Sequence, residues 1–411
     1  MKILEHSYQI LVLLCVCPSD DPINKWIQRR NIILSVLTIV LITAPNVASI
    51  VFMVQYFRID LASAFCACYQ VSALTKFIYT LFVAYIICDD VKKAFVALQT
   101  FYDSIKDRNL LRFMDKANER SAWIVKLAIR IFTFTFPQIV LLQSILSAVF
   151  SYTDCGYLND TLLYRPYKYI LPWDQHTAWG WFAEVMSSWA FVTSYLSVDS
   201  AFLTLFMSIC EFHKAFFEMF KYKVAQLSEI NNNLTQINKY NVKMILHEAI
   251  FIHVSAERLF RQTAEVYQTF ILIQLVGSMV TLACSGFQMD LVIHDMSMEV
   301  VVVFQAMTIV GLHLFVYCFN GQKVTDYYAA YDKCLYNSNW MNLPINLQLT
   351  IVPMIRNAQK PFLYHGSGII NLNLETYAKF WKMATDWIPM QMSNCHFLAY
   401  LQSQPCIVFT I

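Results

Sequence analysis

Two charged residues, Lys76 and Asp199, stand inside stretches that otherwise carry almost no charge. A charge within a membrane-spanning run costs about 3 kcal/mol unless a partner or a polar cavity receives it. Near the C-terminus, Glu375, Lys379, Lys382 and Asp386 recur at spacings of four, three and four. On a helix these fall on one face, with Glu375–Lys379 and Lys382–Asp386 as i,i+4 pairs. Such a face suits bulk solvent or the wall of a water-filled pore. Enzymatic chemistry finds no foothold. His247 and His253 are six apart and share no helix face, and the chain has no HExxH, GxSxG, P-loop or GxGxxG. No catalytic residue, metal site or cofactor is expected. The 12 cysteines include no CxxC pair, and Cys66, Cys68, Cys88, Cys210, Cys284 and Cys318 sit in apolar stretches, where they read as small apolar residues. Cys155 is the one placed to face an oxidising compartment.

The elements that carry these residues follow from composition. Of 411 residues, 57% are apolar and 14% charged, with a mean hydropathy of +0.46. A soluble domain carries roughly 25% charged residues, so the chain reads as an all-α polytopic membrane protein. A bilayer-crossing helix needs about 20 mostly apolar residues. Six spans meet this, near 31–54, 61–87, 127–152, 185–210, 266–289 and 300–319. Pro45 and Pro137 are expected to kink the first and third. Residues 365–388 are mixed, and hydropathy alone does not classify them. Segment 211–265 has apolar residues at helical spacing (Leu246, Ile250, Val254, Phe260) and extends the fourth and fifth spans beyond the membrane. The apolar N-terminus up to Cys17 reads as an interfacial helix, with a cleaved signal as the other reading.

Charge sets the orientation. Alternate connecting segments hold 22 Lys and Arg on one side, and the intervening loops hold 3. Basic residues stay in the cytoplasm, so the N-terminus is expected inside, opposite to the G-protein-coupled receptor class. The loop at 153–178 is then outside, and Asn159 within Asn159-Asp160-Thr161 is a glycosylation acceptor. Net charge is +2 without a basic run, which suggests no nucleic-acid partner. Lys76 lies 15 residues into its span and Asp199 14 into its own. Both are thus about 21–23 Å below the outer surface. They form an intramembrane ion pair or polar network, or each snorkels separately to the cytoplasm.

Two stretches carry a family pattern. One runs from Gly321-Gln322-Lys323-Val324 through Tyr336-Asn337-Ser338-Asn339-Trp340 to Leu343-Pro344. The other runs from Met354-Ile355-Arg356-Asn357-Ala358-Gln359-Lys360-Pro361 through Gly366 to Asn371-Leu372-Asn373-Leu374-Glu375-Thr376-Tyr377-Ala378-Lys379. Together they resemble the end of the sixth helix, the cytoplasmic anchor and the pore helix of insect odorant receptors. Met383-Ala384 stand where gustatory receptors carry Gln-Phe. Segment 211–265 is shorter than in the obligate coreceptor, so the chain resembles a ligand-tuning subunit. It departs from the family after the pore helix, with Thr385-Asp386-Trp387 and a tail continuing to Ile411.

The resemblance implies seven transmembrane helices, a cytoplasmic N-terminus, an extracellular C-terminus and helices four to seven extended into a cytoplasmic anchor. The expected parts are a ligand-binding bundle (1–319), an anchor segment (320–364), a pore helix (365–390) and an atypical tail (391–411). It implies a ligand-gated, non-selective channel for monovalent and divalent cations in the plasma membrane of sensory dendrites. Its partner would be the coreceptor, in a heterotetramer; a gustatory-type homotetramer is the alternative. Glu375, Lys379, Lys382 and Asp386 would face the pore, with a gate near Met390. The outer halves of helices two to six would hold a small volatile odorant. They offer Tyr69, Gln70, Ala73, Gln143, Ser147, Phe150, Ser151, Val192, Tyr195, Leu196, Ser278, Thr281 and Phe304. Read singly, each suits lipid contact or helix packing; as a region, they suit a neutral ligand held by burial and one or two hydrogen bonds.

Overall fold

The computed structural model describes residues 47–57, 61–155, 177–230, 236–292, 298–338, 340–360 and 362–383. The described chain is almost wholly helical. Helix α1 (Val47–Tyr56) is the described part of the first span. It is followed by α2 (Leu61–Ser104), α3 (Arg108–Ala128), α4 (Phe136–Cys155), α5 (Ala178–Ile230), α6 (Gln236–Val292) and α7 (Met298–Tyr336). Then come α8 (Ile345–Ala358), a small hairpin of β1 (His365–Gly366) and β2 (Ile370–Asn371), and α9 at 374–383. Helices α5, α6 and α7 each contain a stretch long and apolar enough to cross a membrane.

Helices α5 and α6 have 53 and 57 residues and contain no proline. At 1.5 Å per residue they run about 80 Å, against a hydrocarbon core of about 30 Å. Both therefore continue into the charged segment, as its periodicity implies. Helix α7 likewise passes the polar residues at Asn320 without a break and ends at Tyr336. The third span is built from α3, a π-helical turn at Ile129–Thr135, and α4. The wide turn sits just ahead of Pro137, whose ring displaces the carbonyl four residues back. Within it, the Thr135 hydroxyl donates to the Arg130 carbonyl at 3.0 Å.

Two kinds of core result. At the end rich in basic residues, aromatic rings from α5, α6 and α7 interlock. Tyr328 donates to the Ala256 carbonyl at 2.7 Å and lies 3.2 Å from His213 Nδ1. Tyr364, leading into the hairpin, bonds His213 Nε2 at 3.1 Å and the Thr263 hydroxyl at 2.8 Å. The hairpin seats because α7 has a glycine beneath it. A β-carbon on Gly321 would lie 2.5 Å from the Leu372 carbonyl oxygen, closer than any side chain tolerates. The hairpin turn itself uses left-handed backbone at Ser367 and Gly368. Thus two glycines or their neighbours within the sequence pattern serve a close approach and a tight turn.

At the same end, Lys223 of α5 joins three elements. Its ammonium lies 2.8 Å from Asp107 and 2.7 Å from Glu248 of α6, and its side chain is only 5% exposed. Asp107 also caps α3 by accepting from the Asn109 amide at 2.9 Å. Burial pushes the Asp107 carboxyl up, but the Lys223 bond and the Asn109 amide outweigh it and hold it below its ordinary value of 3.8. Burial likewise pulls Lys223 down, and its bonds to Asp107 and Glu248 more than reverse this. The depressed carboxyl contributes stability above its ordinary value and loses it on acidification. The raised ammonium contributes until pH climbs past the ordinary lysine range. Lys223→Met should cost on the order of 1 kcal/mol, the buried-pair value reduced for partly exposed carboxylates. Thermal unfolding of the purified receptor checks this: the deficit should hold at neutral pH and shrink below pH 3.8.

Candidate functional site

The centre of the bundle holds a buried polar cluster. Asp199 of α5 is 1% exposed, Lys76 of α2 is 5%, His313 of α7 is 3% and Gln274 of α6 is 3%. Lys76 Nζ lies 3.8 Å from Asp199 Oδ2, and His313 Nδ1 lies 2.8 Å from the same oxygen. Gln274 donates to Asp199 Oδ1 at 2.7 Å. Lys76 also donates to the Ser278 hydroxyl at 3.3 Å. Gly277 makes room for the lysine: a β-carbon there would sit 2.9 Å from Lys76 Cγ. One carboxylate therefore touches groups from the three other helices that surround it. Sequence reasoning found the depth match of Lys76 and Asp199. A lone histidine in an apolar span, such as His313, reads from sequence as a packed, hydrogen-bonded residue, and Gln274 has no prominence there, because neither stands out within its own span. Their signal was polarity inside an apolar run, which only a known carboxylate partner makes specific.

The remaining expected ligand residues fall on several walls. Gln70 and Ala73 lie on the inner side of α2, Gln70 fully buried. Thr281 of α6 meets Ser72 at 3.3 Å. Tyr195 of α5 sets its ring edge-on to Phe77, centroids 5.3 Å apart, between the buried Val192 and Leu196. Gln143 of α4 donates to Gln305 of α7 at 3.2 Å, and the buried Ser147 donates to the Ser144 carbonyl at 2.8 Å. Phe304 is a correction: it is 63% exposed and points out of the bundle. The inner face of α7 runs through Val303, Ala306, Val310 and Leu314, and one residue on from Val303 turns about 100° away. Asn159, Asp386 and Met390 lie outside the described residues, as do the side chains of Tyr69, Phe150 and Ser151. Ser278 is also shared with a narrow cleft between α6 and α7, where His313 and Tyr317 line it and Leu372 closes it. A separate cavity of about 290 Å³ opens at the basic end between α2, α5 and α6, with Phe101, Phe216, Phe251 and Arg258 in its walls. It contains none of the expected ligand residues.

Helix α9 is two-sided. Glu375 and Lys379 pair at 2.6 Å with both side chains 70% exposed, and Lys382 is exposed beside them. The opposite side packs on α7. Tyr377 meets Phe315 edge-on at 5.4 Å, Trp381 lies over Gly311, and Phe380 is buried. His313 sits on α7 between these two contact points.

These features define a multi-helix membrane bundle, with a buried polar centre and a separate amphipathic helix leaning on its last long helix. The 7tm Odorant receptor family model matches residues 61–385, and the chain belongs to that family. Its fold is that of solved insect olfactory receptors with seven membrane helices. The insect olfactory receptor OR5 from Machilis hrabei aligns with a TM-score of 0.71 at 14% identity, covering 94% of this chain and 97% of that one. The same receptor in complex with eugenol aligns with a TM-score of 0.71 over 95% and 98% at 14% identity. No curated protein sequence matches the chain.

The cluster makes a sharp demand on Asp199. Asp199→Asn leaves Lys76 buried without a counter-charge and should cost about 3–5 kcal/mol. Surface expression should fall accordingly, and Lys76→Met in the same chain should recover part of it. Equal expression of the single and double variants would show that the two residues are not coupled.

Proposed function

We propose that this chain is the odorant-binding subunit of a ligand-gated, non-selective cation channel. It assembles with the coreceptor as a heterotetramer in the plasma membrane of sensory dendrites. The N-terminus is cytoplasmic, which the 22-to-3 distribution of basic residues supports. The chain tunes the assembly to its ligand. The odorant occupies the half of the bundle away from the basic ends, against Gln70, Ala73, Gln143, Ser147, Val192, Tyr195, Leu196, Ser278 and Thr281. OR5, which shares the fold, is solved with eugenol. A ligand of that size class would be held by apolar burial with one or two bonds from these amides and hydroxyls.

The observation that supports channel coupling is the position of α7. One side of it carries His313 in the Asp199 cluster, and neighbouring positions carry Gly311 and Phe315 against Trp381 and Tyr377 of α9. A ligand that changes how α5 or α6 packs on α7 shifts the helix that presents Glu375, Lys379 and Lys382. Packed side chains with two discrete arrangements transmit such a shift. In the assembled channel, that charged face lines the water-filled path, with Asp386 continuing it and the gate near Met390.

Whole-cell recording tests the reading. Expressed with the coreceptor, the chain should pass cation current on exposure to odorants, and alone it should pass none. Current from the chain alone would instead support the gustatory-type homotetramer. Absence of odorant-evoked current in both settings, with the protein at the surface, overturns the reading. Tyr195→Ala should reorder the effective odorants, several-fold for the best one, without changing ion selectivity. An unchanged odorant profile removes Tyr195 from the site.

A further inference from the structure

A row of side-chain contacts runs along the seam between α2 and α6. Cys68 meets Cys284 with sulfurs 3.7 Å apart, and Ser72 meets Thr281 at 3.3 Å. Lys76 meets Ser278 at 3.3 Å, and Thr80 meets Gln274 at 3.4 Å. The α2 members recur every fourth residue, and the α6 members run the opposite way at steps of three or four. That is the register of two antiparallel helices in continuous contact along one face. The cysteines close the row at the end away from the basic segments. Both are half-buried and both are free thiols. Cys210, Cys318 and Cys334, also free, show no thiol contact among the described residues.

We propose that Cys68 and Cys284 form a redox pair that closes to a cross-helix disulfide when a peroxide reaches the outer half of the bundle. One thiol loses its proton and attacks the peroxide O–O bond, which yields a sulfenic acid and one water. The neighbouring thiol attacks that sulfur, the S–S bond forms, and a second water leaves. Two thiols are oxidised and one peroxide is reduced. A disulfide bond length of about 2.0 Å asks the sulfurs to approach by roughly 1.7 Å from where they stand. Side-chain rotation on helices already joined by Ser72 and Thr281 supplies this. The bond pins α2 to α6 two residues from Gln70 and three residues from Thr281, so it stiffens a wall of the proposed odorant site. Only this last consequence rests on the odorant reading; the pairing of the thiols does not.

The test uses the full chain in the membranes of expressing cells. Membranes are treated with hydrogen peroxide, free thiols are blocked with N-ethylmaleimide before denaturation, and the digest is analysed by mass spectrometry. A linked peptide joining Cys68 to Cys284, lost on dithiothreitol treatment and absent in Cys284→Ser, is expected. Recovery of both cysteines as separate alkylated peptides after peroxide overturns the proposal. In cells that also express the coreceptor, peroxide should shift the odorant dose–response several-fold to higher dose in the native chain and leave Cys68→Ser unshifted. Linkage with no shift overturns the regulatory consequence. A complete lack of odorant current before peroxide strikes at the odorant reading instead, and the linked peptide is scored independently of it.

Discussion

Asp199 is the group around which the membrane half of this protein has to be built. A carboxylate buried to 1% exposure in the middle of a bundle stays ionised only if its surroundings replace the water it has lost. No single helix does that. The replacement comes as an ammonium from α2, an imidazole from α7 and an amide from α6, each from a helix that must stand at a set rotation and depth. Moving any of the three by a turn takes away one of the carboxylate's partners. The cluster therefore restricts the bundle to few packings, as apolar contacts between lipid-soluble helices do not. It also makes α7 answerable to the rest of the bundle, and α7 is the helix on which α9 leans.

The two ends of the molecule solve different physical problems. Within the bilayer, an apolar side chain gains nothing by leaving lipid for protein, so small residues and hydrogen bonds decide which surfaces meet. The seam from Cys68 to Gln274 and the close passage of Lys76 over Gly277 are of this kind. Beyond the bilayer, water is present and burial of large rings is strongly favourable. There the core becomes Phe260, Tyr328, Tyr364 and their neighbours, with His213 held among tyrosine hydroxyls. Long unbroken helices join the two regimes, so a change of packing in one is felt in the other. Pro137 and its π turn interrupt only the third span.

Periodicity and hydropathy made most of the helices legible, and they misplace side chains for a definable reason. In a water-soluble helix, polarity marks the outer face, so Phe304 would be read inward. In lipid both faces of α7 are apolar, and Val303 and Phe304 are indistinguishable until neighbouring helices are in place. The same blindness hid the cysteines. Cys68 and Cys284 lie 216 positions apart in runs where a thiol passes as a small apolar residue. Charged residues were more legible, because a charge in an apolar run demands a partner, and matched depth nominated Lys76 for Asp199. Glu375 and Lys379 were legible for a third reason: their contact is local, within one helix turn.

By itself, the sequence determined everything that depends on composition and local spacing. That covers the places of the apolar spans, the uneven spread of basic residues among the segments that join them, the two-sided character of α9 and the motif around Gly321 and Gly366. These are properties of single segments in contact with water or lipid. Only the tertiary structure decided which faces of those segments meet. It brought His313 and Gln274 to Asp199, set Tyr195 against Phe77, turned Phe304 outward and laid two thiols side by side. The reason is that a helix in lipid carries little record of its own rotation; that rotation is imposed by the few polar and small residues it shares with its neighbours.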